Sequence, residues 1–246
     1  MQSEKKQLEI LLMHYFRESY NIFPAGKLIP SESPDFMVKI KKKFNLGIEL
    51  TRLNPLNAKT LTIKELERDQ LRDEVIDRAK DIFTQSSAIN LFVKILFSDK
   101  EKLNPGSSVV LSARLTNLIR NSVQDKNTGG FFHKLITGSS LPKELGKILI
   151  IHNPVLKTSV WERSNNLGIS ENVPEDIQLA IQKKDEKLIL YQKQQFNSYW
   201  LIITTDRLRG TKNYNLQNKV LNQQFHSRFQ QVFLFDLMRA NIFRLV

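Results

Sequence analysis

Cysteine is absent from the 246-residue chain. Its absence excludes disulfides, thiolate metal sites and cysteine nucleophiles, and it fits a reducing cytoplasm, the compartment expected here. Histidine is scarce. His14, His133, His152 and His226 are the four, and none has another three or four positions on, so no zinc-binding helix is encoded. No apolar run reaches about 18 residues, so no membrane span is expected. The N-terminal stretch MQSEKKQLEILLMHYFRESY has a short apolar patch broken by His14 and Arg17 and no small-residue cleavage site, so it does not read as a secretory signal. Gly129-Gly130 with Lys134 lacks P-loop spacing, and there is no Gly-x-Ser-x-Gly elbow. Acidic residues are also few: 25 Asp and Glu face 37 Lys and Arg, a formal net charge of +12. That surplus favours a polyanionic partner, with nucleic acid the first choice.

What is present is an ordinary globular composition, 41% hydrophobic, with enough apolar material for a core. Residues 3–20 carry Leu8, Leu11, Leu12, Tyr15 and Phe16 at helical spacing. Pro24, Gly26 and Pro30 then break the pattern. Phe36, Val38 and Ile40 alternate with Met37, Lys39 and Lys41, which is strand periodicity. Asn45-Leu46-Gly47 follows a short turn into a second strand over 48–53, so the two form an antiparallel hairpin. A long charged helix is expected over 62–83, opened by a Thr62/Glu65 capping box. Further strands are expected at 88–97, 147–152, 199–205, 231–236 and 241–246. Further helices are expected at 106–123 and from Pro174 to about 194, and 127–138 reads as a loop. Trp161-Glu162-Arg163 carries no chemistry and is assigned to packing. The order predicts an α/β fold, a mixed central sheet flanked by helices. No composition break marks a boundary, so one domain over 1–246 is expected, with about 100–172 as a candidate insertion.

Asp35 and Glu49 are the first candidates for chemistry. If their strands are neighbours, the carboxylates meet at one end of the sheet and repel, and a divalent cation relieves the repulsion. Mg²⁺ keeps several waters and needs only one or two protein carboxylates beside a substrate phosphate. The spacing alone equally suits a turn aspartate after Pro34 and a solvent-facing strand glutamate.

Pro34-Asp35, a 13-residue gap and then Glu49-Leu50-Thr51 after Gly47-Ile48 resembles the PD-(D/E)xK nuclease superfamily. The resemblance covers about residues 3–53 and 174–246. It implies a restriction-endonuclease-like core and Mg²⁺ (or Mn²⁺) held by Asp35 and Glu49. It also implies a further glutamate from the first helix, Glu9 in preference to Glu18. The function it implies is phosphodiester cleavage, of DNA in preference to RNA. Thr51 occupies the family's lysine position. Either a lysine has moved to another element, or the metal and Thr51 suffice at a lower rate, or the chain keeps the fold without the chemistry. Lys187 stands four before Tyr191, as a basic residue stands before a tyrosine in many members, with Lys184 one turn earlier. These two are the candidate displaced lysines, whereas Arg52 is expected to point to the opposite strand face.

Lys41, Lys42 and Lys43 cluster at the hairpin turn and are candidate nucleic-acid contacts with Tyr191. Residues 206–246 add seven Lys and Arg against two Asp, interleaved with aromatic and amide residues. The same lysines also suit protection of a solvated strand edge. The alternative to an enzyme is an inactive nuclease fold that binds nucleic acid or serves as a protein-interaction subunit. A homodimer or a larger complex is compatible with either.

Overall fold

A computed structural model describes residues 4–41, 44–54, 60–98, 101, 103–124, 129–164, 172–191, 196–206, 220 and 222–246. The fold is mixed α/β, with four helices and ten strands among these residues. The chain forms two compact units. The first comprises Met1–Tyr15 and Thr60–Asn166, the second Phe16–Lys59 and Leu167–Val246. One domain was expected; of the segment read as a candidate insertion, residues 100–166 fold with 60–99 and the N-terminal residues, and 167–172 belong to the second unit. Helix α1 (Glu4–Ser19) contributes to both units, its last turn from Phe16 belonging to the second. Among the described residues, no helix is long and apolar enough to cross a membrane.

In the first unit, α2 (Ile63–Ser86) begins at the expected capping box. Thr62 Oγ1 accepts from the Glu65 N–H, and the Glu65 carboxylate accepts from the Thr62 N–H at 2.8 Å. β4 (Phe92–Phe97), α3 (Pro105–Val123), β5 (Phe132–Thr137), β6 (Leu145–His152) and β7 (Val160–Arg163) follow. The sheet order is β5-β6-β4-β7, with β4 and β7 parallel and the other pairs antiparallel. β5 lies where a loop was expected, and β7 contains Trp161, which packs into the core with Phe83. Helices α2 and α3 meet through small polar residues. Ser112 Oγ donates to the Val75 carbonyl (3.1 Å) and Thr116 Oγ1 to the Ala79 carbonyl (3.0 Å). One strand side chain is unusual here: Lys94, 1% exposed, forms an ion pair with Glu162 on β7.

In the second unit, β1 (Lys27–Pro30), β2 (Phe36–Lys41), β3 (Phe44–Arg52), α4 (Val173–Tyr191), β8 (Ser198–Thr205), β9 (Gln231–Asp236) and β10 (Asn241–Arg244) build one sheet with a helix against it. The order is β1-β2-β3-β8-β9-β10, mixed because β3, β8 and β9 run parallel while both edges are antiparallel. The expected hairpin is present, with Phe36 paired to Ile48. Asn45-Leu46-Gly47 belongs to β3 rather than to the approach to it. One face of the sheet receives α4, whose Ile177, Ile181 and Leu188 pack with Leu201, Ile203, Val232 and Leu234. The side chains that alternate with these lie on the other face, where Phe16 and Tyr20 meet Phe233, and Phe23 meets Trp200.

Candidate functional site

The strand register decides which way the acidic pair points. β3 runs parallel to β8 with Glu49 beside Leu201 and Thr51 beside Ile203. Neighbouring residues in a ladder share a face. Leu201 and Ile203 pack on α4, so Glu49 and Thr51 face that helix as well. Glu49 is 3% exposed and must find a partner there. Lys184 Nζ donates to Glu49 Oε1 at 2.6 Å. Glu49 Oε2 is buried, and no hydrogen-bond donor reaches it among the described residues.

Asp35 stands immediately before β2 rather than as its first residue. Its Oδ2 accepts from the Leu50 N–H at 2.8 Å, which fixes the carboxylate beside the peptide that follows Glu49. The Ser31 N–H in turn binds the Asp35 carbonyl at 2.8 Å. Gly47 makes this arrangement possible. A Cβ there would stand 2.8 Å from Pro34 Cγ and 3.0 Å from the Tyr199 ring. Burial holds the Tyr199 hydroxyl above its ordinary range, against a smaller opposing pull from the hydrogen bond with the Phe196 backbone. Gly47→Ala should therefore push Pro34, and Asp35 with it, off the strand. The expected cost is about 1–3 kcal/mol, the usual range for overpacking. Urea unfolding measures it, and a variant as stable as the parent would show that Pro34 gives way without strain.

α4 brings three lysines to this side of the sheet. Ile177, Ile181, Lys184 and Leu188 recur at helical spacing on its inward face. Lys184 thus occupies a position where an apolar residue is expected, and its side chain is only 16% exposed. Lys187, preferred on sequence, is exposed and makes no ion pair among the described residues. A cleft of about 250 Å³ is lined by Thr51, Arg52, Asn54, Lys183, Lys184 and Lys187, with Asp176 and Ala180 also in its wall. Arg52, the last residue of β3, also borders this cleft; it pairs in the ladder with Thr204, and its guanidinium binds Asp206 at 3.2 Å.

Glu9 lies in the first unit, where Lys5 and Lys6 approach it at 3.8 and 3.4 Å. Among the described residues no group of three or more His, Asp or Glu converges as a metal cage. The second unit by itself supplies Asp35 and Glu49. Lys42, Lys43 and the side chains of Lys41 and Tyr191 lie outside the described residues.

Two hard carboxylate donors, one with a buried oxygen that lacks a hydrogen-bond donor, suit an oxygen-seeking cation such as Mg²⁺. The pairing of Glu49 with Lys184 was outside the sequence reading, although the lysine in the apolar stripe of α4 signalled it. No family model, curated protein or solved structure matches the chain.

Proposed function

We propose that the chain is a divalent-metal-dependent nuclease acting on DNA, with its site on a restriction-endonuclease-like core in the second unit. The observation that carries this reading is the buried Glu49, paired through one oxygen to Lys184 and lacking a donor on the other, beside the backbone-anchored Asp35. Asp35 and Glu49 would hold Mg²⁺ or Mn²⁺, and the bound ion would supply Lewis-acid charge for phosphodiester hydrolysis.

The chain's own groups do the rest. Lys184 fills the role of the lysine missing at Thr51. It orients Glu49 and brings positive charge to the strand end where a phosphate arrives. The Leu50 N–H fixes one Asp35 oxygen, so the carboxylate is set before substrate binds. Thr51 faces the same side and offers a hydroxyl, not a charge. The net charge of +12 favours a polyanionic substrate.

The test is cleavage of plasmid, single-stranded DNA and RNA by purified protein with Mg²⁺ or Mn²⁺. Cleavage that chelator stops and Asp35→Asn abolishes is the expected result. No cleavage of any substrate with either metal would leave the reading in which Thr51 marks lost chemistry and the fold serves binding.

A further inference from the structure

We infer that the cleft beside the Glu49–Lys184 pair is a phosphate subsite, in which Lys183 and Lys187 take one phosphate group of a nucleic-acid strand. The ligand class rests on the nuclease reading. The binding does not, because an anion site needs neither metal nor turnover.

The charges in the cleft are not equivalent. Lys184 is answered by Glu49, and Arg52 by Asp206. Asp176, the one acid in the wall, is 1% exposed and so withdrawn from the opening. Lys183 and Lys187 are exposed, and neither has an ion-pair partner among the described residues. They stand four apart on α4 and therefore present their ammonium groups on one side of the helix. Like charges so placed repel unless an anion comes between them. Ala180, a small residue one turn before Lys183 and Lys184, leaves the volume between helix and strand unfilled. Across the cleft, Thr51 and Asn54 offer a hydroxyl and an amide, neutral donors suited to phosphate oxygens. At about 250 Å³ the cleft has room for a phosphate and the sugar next to it, not for a duplex.

The phosphate could be an internal diester or a terminal monoester, and binding separates them. The probes are a thymidine 12-mer with a 5′ phosphate, the same 12-mer without it, and inorganic phosphate as competitor, all in chelator. Lys183→Gln with Lys187→Gln should weaken binding of the phosphorylated 12-mer on the order of tenfold and make its salt dependence shallower by about 0.7 in log–log slope. Lys183→Arg with Lys187→Arg should bind as the parent does. If the parent prefers the phosphorylated strand and the glutamine variant loses that preference, the occupant is a terminal phosphate. If both strands bind alike and weaken alike, it is an internal one. Glutamine-variant affinities within twofold of the parent for both strands would overturn the subsite. A parent that cleaves nothing, together with a weakened glutamine variant, would remove the nuclease reading and leave the subsite. A cleaving parent with an unaffected variant would do the reverse.

Discussion

Lys184→Met should lower stability by about 2–3 kcal/mol and cleavage by about 10²-fold or more, and adding Glu49→Gln should restore much of the stability but not the rate. The asymmetry follows from burial. The Glu49 side chain is 4% exposed and that of Lys184 16%. Removing the lysine leaves a carboxylate in the sheet–helix interface with no cation. Breaking a fully buried pair costs about 3–5 kcal/mol, and the partial exposure of Lys184 places this one below that range. Methionine keeps most of the lysine stem, so packing against Ile181 and Leu188 changes little. Glu49→Gln removes the stranded charge, which is why the double variant recovers stability. It also removes the proposed metal ligand, which is why the rate does not return. Urea unfolding of all four proteins gives the coupling energy, and single-turnover cleavage gives the rates. Additive stabilities would show that the pair contributes nothing. Parent-like cleavage by Lys184→Met would remove the displaced lysine from the mechanism.

The largest loss of stability belongs to Phe233→Ala, at about 4 kcal/mol. Phe233 is fully buried at the centre of β9, with ring centroids of Tyr20, Trp200 and Phe16 at 5.0, 5.1 and 5.5 Å. Truncation removes the transfer energy of a phenyl ring and leaves a cavity walled by rigid rings that cannot collapse into it. Such changes cost about 3–5 kcal/mol. Ile22→Ala, at a residue 76% exposed, should stay within about 0.5 kcal/mol and serves as the control. A loss below about 1.5 kcal/mol for Phe233→Ala would mean that the last turn of α1 does not seal this face.

Local chemistry made much of the fold legible. The α2 capping box needs only Thr62 and Glu65. β9 is bounded as its apolar run predicts, at residues 231 and 236. The three missed strands, β1, β5 and β7, all lie at sheet edges. These three are half-exposed, so their alternation is weak, and each is defined by the strand it pairs with: β1 by β2, β5 by β6 and β7 by the distant β4. The β1 segment also carries Pro30 at its end, a residue that edge positions tolerate and central ones do not. The division into two units left no trace in composition because both have apolar cores and both are laced with charge.

The site was legible in part. Asp35 and Glu49 stand out as acids in a basic chain, and the hairpin sets the Asp35 carboxylate on the peptide N–H that follows Glu49. The choice between Lys184 and Lys187 was also present in the sequence, in the stripe Ile177-Ile181-Lys184-Leu188, but spacing from Tyr191 pointed to the other lysine. A lysine inside an apolar stripe is the stronger physical signal, because burial demands a partner.

The pairing of β3 with β8 has a consequence for the nascent chain. Leu46 finds its neighbour in Ser198, on the order of 150 residues later. At ribosomal rates of roughly 5–20 residues per second, β3 waits on the order of 10–30 seconds for the strand that covers it. During that time the hairpin presents an uncovered edge, the side of β3 that later pairs with β8. The intervening segment, residues 60–166, makes up most of the first unit and leaves the ribosome within the same interval. The chain thus exposes an open strand edge early in translation, and a holdase bound to the nascent hairpin would act at that stage.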